Sequence, residues 1–150
     1  MLTQANVSIS TSRQRRLRIV ASILLFLLAA GALAAGYSFI SDPSGKGIGI
    51  HVSYLQYAPF NDFLIPGIIL FTVNGVFSLV TALATVAAVR PYPLLIQLQG
   101  LLLSGWIVVQ VLLVRDFNLL HFTCLVIGVA LLYIGTLLKQ SLNSSPARPR

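Results

Sequence analysis

The sequence predicts an all-α membrane protein, a four-transmembrane-helix up-down bundle. Three observations predict it. Four long runs, residues 19–40, 63–89, 93–114 and 119–138, contain no Asp, Glu, Lys or Arg. Only 9% of the 150 residues are charged and 57% are hydrophobic, whereas a soluble domain carries about 25% charged residues to solvate its surface. Basic residues also crowd alternate connections between the runs, as membrane orientation requires. Disorder is excluded by the same composition, since Leu, Ile, Val and Phe are abundant.

A hydrocarbon core about 30 Å thick takes about 20 helical residues at about 1.5 Å each. The first, third and fourth runs fit that length. The second is longer, and either tilts or begins in the interface near Pro66. Lipid offers no partner to an unpaired amide, so a spanning segment must be a helix or part of a closed barrel. These runs are continuously apolar and do not alternate with period two, which argues against a barrel. Residues 1–18 form a basic tail containing Arg13, Arg15, Arg16 and Arg18. Residues 41–62 form an outer loop. Arg90-Pro91-Tyr92-Pro93 and Arg115-Asp116-Phe117-Asn118 are short connections, so helices two, three and four are antiparallel neighbours. Residues 139–150 form a second tail, polar and disordered from Ser141, and the first ten residues read the same way.

Orientation follows from charge. With the N-terminus in the cytoplasm, Arg13, Arg15, Arg16, Arg18, Arg90, Lys139, Arg148 and Arg150 lie inside, and only Lys46 and Arg115 lie outside. This positive-inside bias predicts a multi-pass protein of a bacterial inner membrane with both termini cytoplasmic. Asp42, Asp62 and Asp116 all fall outside. The net charge of +7 then reflects orientation and contact with anionic lipid, and calls for no nucleic acid. The Arg-rich start followed by Ala32-Leu33-Ala34 also resembles a cleavable secretory signal. Because the apolar run continues to Ile40, an uncleaved anchor is the expectation. Cys124 is the single cysteine, which excludes an internal disulfide or a Cys-x-x-Cys pair. It reads as a small packing residue.

Polar residues inside the spans are the candidate site. Asn74, Ser78, Thr81 and Thr85 are spaced four, three and four, so at about 100° per residue they share one stripe of the second helix, with Gly67. On the third helix Gln99, Trp106 and Gln110 share a face, and Gly100 and Ser104 form a small-xxx-small pair. The fourth helix places Cys124, Gly128 and Gly135 on the face of His121 and Lys139. The first offers Gly31 with Ala35 and Ala32 with Gly36. Two readings stay open. Small residues let helices approach, and hydroxyls or amides hydrogen-bond across the gap at roughly 0.6 kcal/mol each. Alternatively Asn74, Gln99 and Gln110 line a polar cavity between helices two, three and four. Amides bind a polar ligand but do not shuttle protons by titrating, and intramembrane proton paths use a carboxylate or base.

In the outer loop, Gly45, Gly47 and Gly49 give a flexible first half, and residues 50–60 are apolar and aromatic enough to lie along the interface. His51, Asp62 and His121 are candidate outer-face residues. The two histidines lack a metal or haem signature, so no metal and no cofactor is expected. Asp62 is placed to cap the second helix and Pro66 sits in its first turn.

The strings Asp42-Pro43-Ser44-Gly45, Ala58-Pro59-Phe60-Asn61-Asp62-Phe63-Leu64-Ile65-Pro66-Gly67, Asn74-Gly75 and Gly105-Trp106-Ile107-Val108-Val109-Gln110 resemble a group of small bacterial four-helix membrane proteins, similar in build to DoxX-like proteins. The likeness covers roughly residues 25–138 and excludes both tails. It implies the four-helix fold and a membrane location near redox systems, and brings no activity with it. Members with an acid at the position of Gln110 differ from this chain, whose amide does not titrate.

Three function classes remain. A non-catalytic accessory or scaffold component of a membrane complex explains the missing catalytic constellation and the small-residue faces. Its partner would be another membrane protein or a second copy of the chain. A small transporter, or a lipid- or quinone-binding protein, needs the polar cavity. An enzyme is disfavoured, because no nucleophile is spaced with a base.

Overall fold

The structure, a computed structural model, describes residues 2–143, with side chains from residue 11 onward. Its helices are α1 (Leu2–Ser41), α2 (Leu64–Val86), α3 (Tyr92–Val114) and α4 (Leu119–Asn143). All four contain a stretch long and apolar enough to cross a membrane. The expected C-terminal disorder, with Arg148 and Arg150, lies beyond the described residues; Ser141–Asn143 continue α4.

Two boundaries differ from the apolar runs. The basic segment is not a separate tail, because α1 passes straight through it. No Gly or Pro interrupts residues 2–30, and Arg, Gln and Leu are good helix formers. At its other end, α2 stops three residues before the apolar run does. Ala88 turns left-handed, with φ 53°. Its N–H donates to Thr85 O at 3.2 Å, and the Val89 N–H donates to Ala84 O at 3.0 Å. These two bonds form the Schellman stop that usually employs glycine.

Packing makes two hairpins. In one, α1 lies along α2; in the other, α3 lies along α4, and α1–α4 and α2–α3 contacts close the bundle. Glycines set both seams. A Cβ on Gly36 would meet the Phe71 backbone N at 2.7 Å, and one on Gly67 would meet Phe39 Cβ at 2.6 Å. Across the other seam, a Cβ on Gly100 would stand 2.6 Å from Gly128 O, and one on Gly135 would stand 2.6 Å from Gln97 Cγ. Ser104 packs directly over Gly128. Near that seam the Gln97 Nε2 donates to Thr136 Oγ1 at 2.9 Å. The small-residue faces of the sequence are therefore largely consumed inside the molecule. Gly31 and Gly105 differ, having no atom within 4 Å of a built Cβ.

The radial pattern is that of a protein in lipid. Leu112 is 69% exposed and Leu27 65%, while Asn74, Ser78, Thr81, Thr85 and Gln99 are completely buried. A water-soluble bundle puts large apolar groups inside and polar ones outside. The length and apolarity of its helices, with large apolar side chains on the outside as well as in the core, mark the chain as a multi-pass membrane protein. Charge sorts along the axis as well. Arg15, Arg18 and Arg90 line one groove, and Arg90 and Lys139 an adjoining one. Asp42, Asp62, Asp116, Lys46 and Arg115 belong to the connections at the opposite end.

Candidate functional site

The seam between α2 and α3 holds the candidate residues, but divides them. Its middle is built on a change of helical winding. From Leu70 to Val76 α2 is a π-helix, and the Phe77 N–H reaches back five residues to Thr72 O. Thr72 Oγ1 donates to Ile68 O at 2.7 Å, satisfying a carbonyl before the widened stretch. Such widened turns are rare and recur at functional sites. Gly75 belongs to this stretch because Leu33 of α1 presses on it, Cδ2 standing 2.8 Å from where a Cβ would be. The winding buries Asn74 beside Gly75.

Asn74 there meets Gln99. The Gln99 Nε2 donates to Asn74 Oδ1 at 3.4 Å, a long and weak bond. Thr85 Oγ1 donates to Thr81 O at 2.7 Å within α2. Asn74 Nδ2, Ser78 Oγ, Thr81 Oγ1 and Gln99 Oε1 are buried and make no hydrogen bond to any described residue. The seam thus concentrates unsatisfied polar atoms in its middle. Each such atom costs about 1–3 kcal/mol when nothing replaces its lost water.

Gln110 is elsewhere. It lines a cavity of about 330 Å³ nearer the outer end of the same seam. Phe39 of α1, Leu55, Pro59, Phe60 and Phe63 of the loop, Pro66, Ile69 and Leu70 of α2, and Trp106, Val109, Leu113 and Val114 of α3 complete the lining, and α4 supplies nothing. The loop roofs it because Phe63 is anchored twice. Its ring stacks on Phe39 with centroids 4.8 Å apart, and its N–H donates to Pro43 O at 2.9 Å. Gln110 is the one side-chain amide in an apolar lining. No described residue hydrogen-bonds to it.

The outer-face candidates are scattered. Asp62 Oδ1 accepts the Leu64 N–H at 3.0 Å, at the start of α2. His51 is exposed in the loop. His121 is buried at the start of α4, where Nδ1 accepts the Asn118 N–H at 3.3 Å and Nε2 has no described partner. Among the described residues no group of three or more His, Cys, Asp or Glu is placed to hold a metal ion. Asp42 organises the first half of the loop. It accepts from Ser44 Oγ at 2.6 Å and from the Gly47 N–H at 2.8 Å. The Ser44 hydroxyl first, then the Gly47 amide, hold its carboxyl below the ordinary 3.8. Arg115 places its guanidinium 4.1 Å from the Tyr57 ring centroid, tying the α3–α4 turn to the loop.

Two contributions were not drawn from the sequence. The π-helix has no local signature in Leu70–Val76. Arg18 does more than mark a basic end: its Nε and Nη2 donate to Thr85 O at 3.2 and 3.0 Å, and Nη2 also donates to Val86 O at 2.8 Å. It therefore satisfies the carbonyls at the C-terminus of α2, where a cation is favoured.

Comparison with family models, with curated proteins and with solved structures finds no match for the chain. Its role has to be read from its own chemistry.

Proposed function

We propose that this is a non-catalytic protein of a bacterial inner membrane that holds one lipid-like ligand at the outer end of its α2–α3 seam. One observation carries the reading: the 330 Å³ cavity lined by aromatic and aliphatic groups with the Gln110 amide among them. Ligand sites are mostly apolar hollows of about 300–1,000 Å³ with a few polar groups that fix orientation. A volume at the low end suits a quinone ring or a single chain segment better than a whole two-chain lipid. The resemblance to DoxX-like proteins, with its implied place near redox systems, agrees with a quinone. Gln110 offers a donor and an acceptor to such a carbonyl-bearing head, and brings no titrating group for chemistry.

Trp106 is the only tryptophan and lines the cavity, so its fluorescence reports occupancy directly. A short-chain quinone titrated into the purified protein should quench Trp106 saturably. Ile69→Phe, which narrows the cavity, should weaken the quinone's apparent affinity by about tenfold, equivalent to about 1.4 kcal/mol of lost binding. Quenching that rises without saturation and ignores Ile69→Phe would remove the ligand reading.

The second reading is an accessory component of a membrane complex. Gly31 and Gly105, open to their surroundings, favour it, since small residues let a partner helix approach. Recovery of a stoichiometric protein partner in mild detergent, with no ligand bound, would decide for it.

A further inference from the structure

We infer that the groove at the basic end of the bundle is a site for one anionic phospholipid, its phosphate held by Arg15, Arg18 and Arg90. This rests on different residues from the outer cavity and is independent of it. The groove has a volume of about 760 Å³ and lies between α1, the C-terminus of α2 and the start of α3, with Leu142 of α4 at its margin. Three arginines line it and no acidic residue does. The chain's three aspartates all sit in connections at the other end. The three guanidiniums thus share one groove in which no described acidic residue takes part, and a phosphate diester would supply the counter-charge.

One of the three is rigid. Arg18 is fixed by its bonds to Thr85 O and Val86 O, and its Cζ lies 5.6 Å from the centroid of the Tyr92 ring. Its Nη1 donates to no described residue and remains a donor for a phosphate oxygen. Arg15, one turn earlier on α1, and Arg90, in the α2–α3 turn, are exposed and able to close on the same anion.

The groove does not end at the arginines. Ile19, Ile23 and Phe26 of α1 and Val86 of α2 also line it. They are 49%, 54%, 40% and 58% exposed. From Arg15 to Phe26 the helix advances about 16 Å, close to half of the roughly 30 Å hydrocarbon core. A cationic mouth that continues into an apolar wall one leaflet deep fits an amphiphile. A free phosphate would make no use of that wall. The absence of any acidic partner for a choline or ethanolamine selects an anionic head over a zwitterionic one, as basic pockets between transmembrane helices do.

The test is a native mass-spectrometric titration of the purified full chain with phosphatidylglycerol and with phosphatidylcholine of the same acyl chains. The protein should retain one phosphatidylglycerol in preference to phosphatidylcholine, and millimolar inorganic phosphate should not displace it. Arg15→Gln with Arg90→Gln should weaken retention roughly 30-fold, at about fivefold per arginine. Arg13→Gln with Arg16→Gln removes the same charge from α1 outside the groove and should leave retention unchanged. Arg18 is left intact because it caps α2. Ile23→Gln alters the apolar wall without altering charge, and should also weaken retention. Equal loss in the two arginine pairs would reduce the site to diffuse surface charge and overturn it. So would equal retention of the two lipids, or indifference to Ile23→Gln. Displacement by inorganic phosphate would make it a free-anion site instead.

Discussion

Asn74 and Gln99 each bring a donor and an acceptor into the middle of the bundle and satisfy only one of each between them. Their one mutual bond is 3.4 Å long, and Asn74 Nδ2 and Gln99 Oε1 have no described partner. A bond across transmembrane helices is worth roughly 0.6 kcal/mol on average, less than the about 1–3 kcal/mol of one buried unsatisfied group. As a purely structural pair these amides are therefore a net cost. Asn74→Leu or Gln99→Met alone exchanges one unsatisfied buried atom for another and loses the shared bond, so each should lower stability by only about 0.6 kcal/mol. The double variant removes both and should melt no lower than the native protein. Thermal unfolding of all four forms in one detergent gives the coupling directly. A double variant that melts well below native would mean these atoms are satisfied by something bound between the helices, which would revive the polar-cavity reading for the middle of the seam.

At the scale of the element, the end of α2 departs most from what its residues prefer. Ala88 occupies the left-handed position at φ 53°, where a Cβ costs about 1–2 kcal/mol and glycine pays nothing. Ala88→Gly should raise stability by about 1 kcal/mol, read as a higher melting temperature with unchanged helicity. Arg115 ends α3 in the same conformation, at φ 55°, yet Arg115→Gly should gain less, because it gives up the stacking on Tyr57. The spans themselves were legible in the sequence: continuous apolarity set by bilayer thickness finds all four helices and places their boundaries next to the three connections to within a turn, and Gly100, Gly128 and Gly135 stood on faces that do meet. Helix ends were less legible. Ala87-Ala88-Val89 carries no stop residue, and Arg13–Arg18 reads as a tail by charge although its backbone preference is helical. The site was half legible. A 3.6-residue period found the buried stripe of α2 despite the π-helix. The cavity depends on Phe39 and Phe63 meeting across 24 positions of sequence, which no local pattern encodes.

For the whole molecule, the two ends differ in charge while the flanks differ in little. The connection-by-connection asymmetry of the sequence becomes, in the folded chain, a basic end formed by the start of α1, the α2–α3 turn and the end of α4. Opposite it stands an end where Asp42 ties a loop together and Arg115 rests on Tyr57. Crossing in either orientation would bury the same apolar flanks, so packing energy cannot choose between them. The charge asymmetry can, since each basic residue near a span end biases insertion toward the cytoplasm. Four crossings also oblige both termini to lie on one side. The expected orientation puts the arginine groove in the cytoplasmic leaflet, where anionic lipid is available, and the Phe60–Trp106 cavity in the outer one. In a Cys124→Ser background, Ser53→Cys in the loop should react with a membrane-impermeant maleimide on intact cells. Ser12→Cys on α1 should react only after permeabilisation. The reverse pattern would invert the molecule and place the groove on the wrong leaflet for its lipid. Labelling of both positions on intact cells would mean that copies insert both ways, and that the arginines of α1 do not decide orientation.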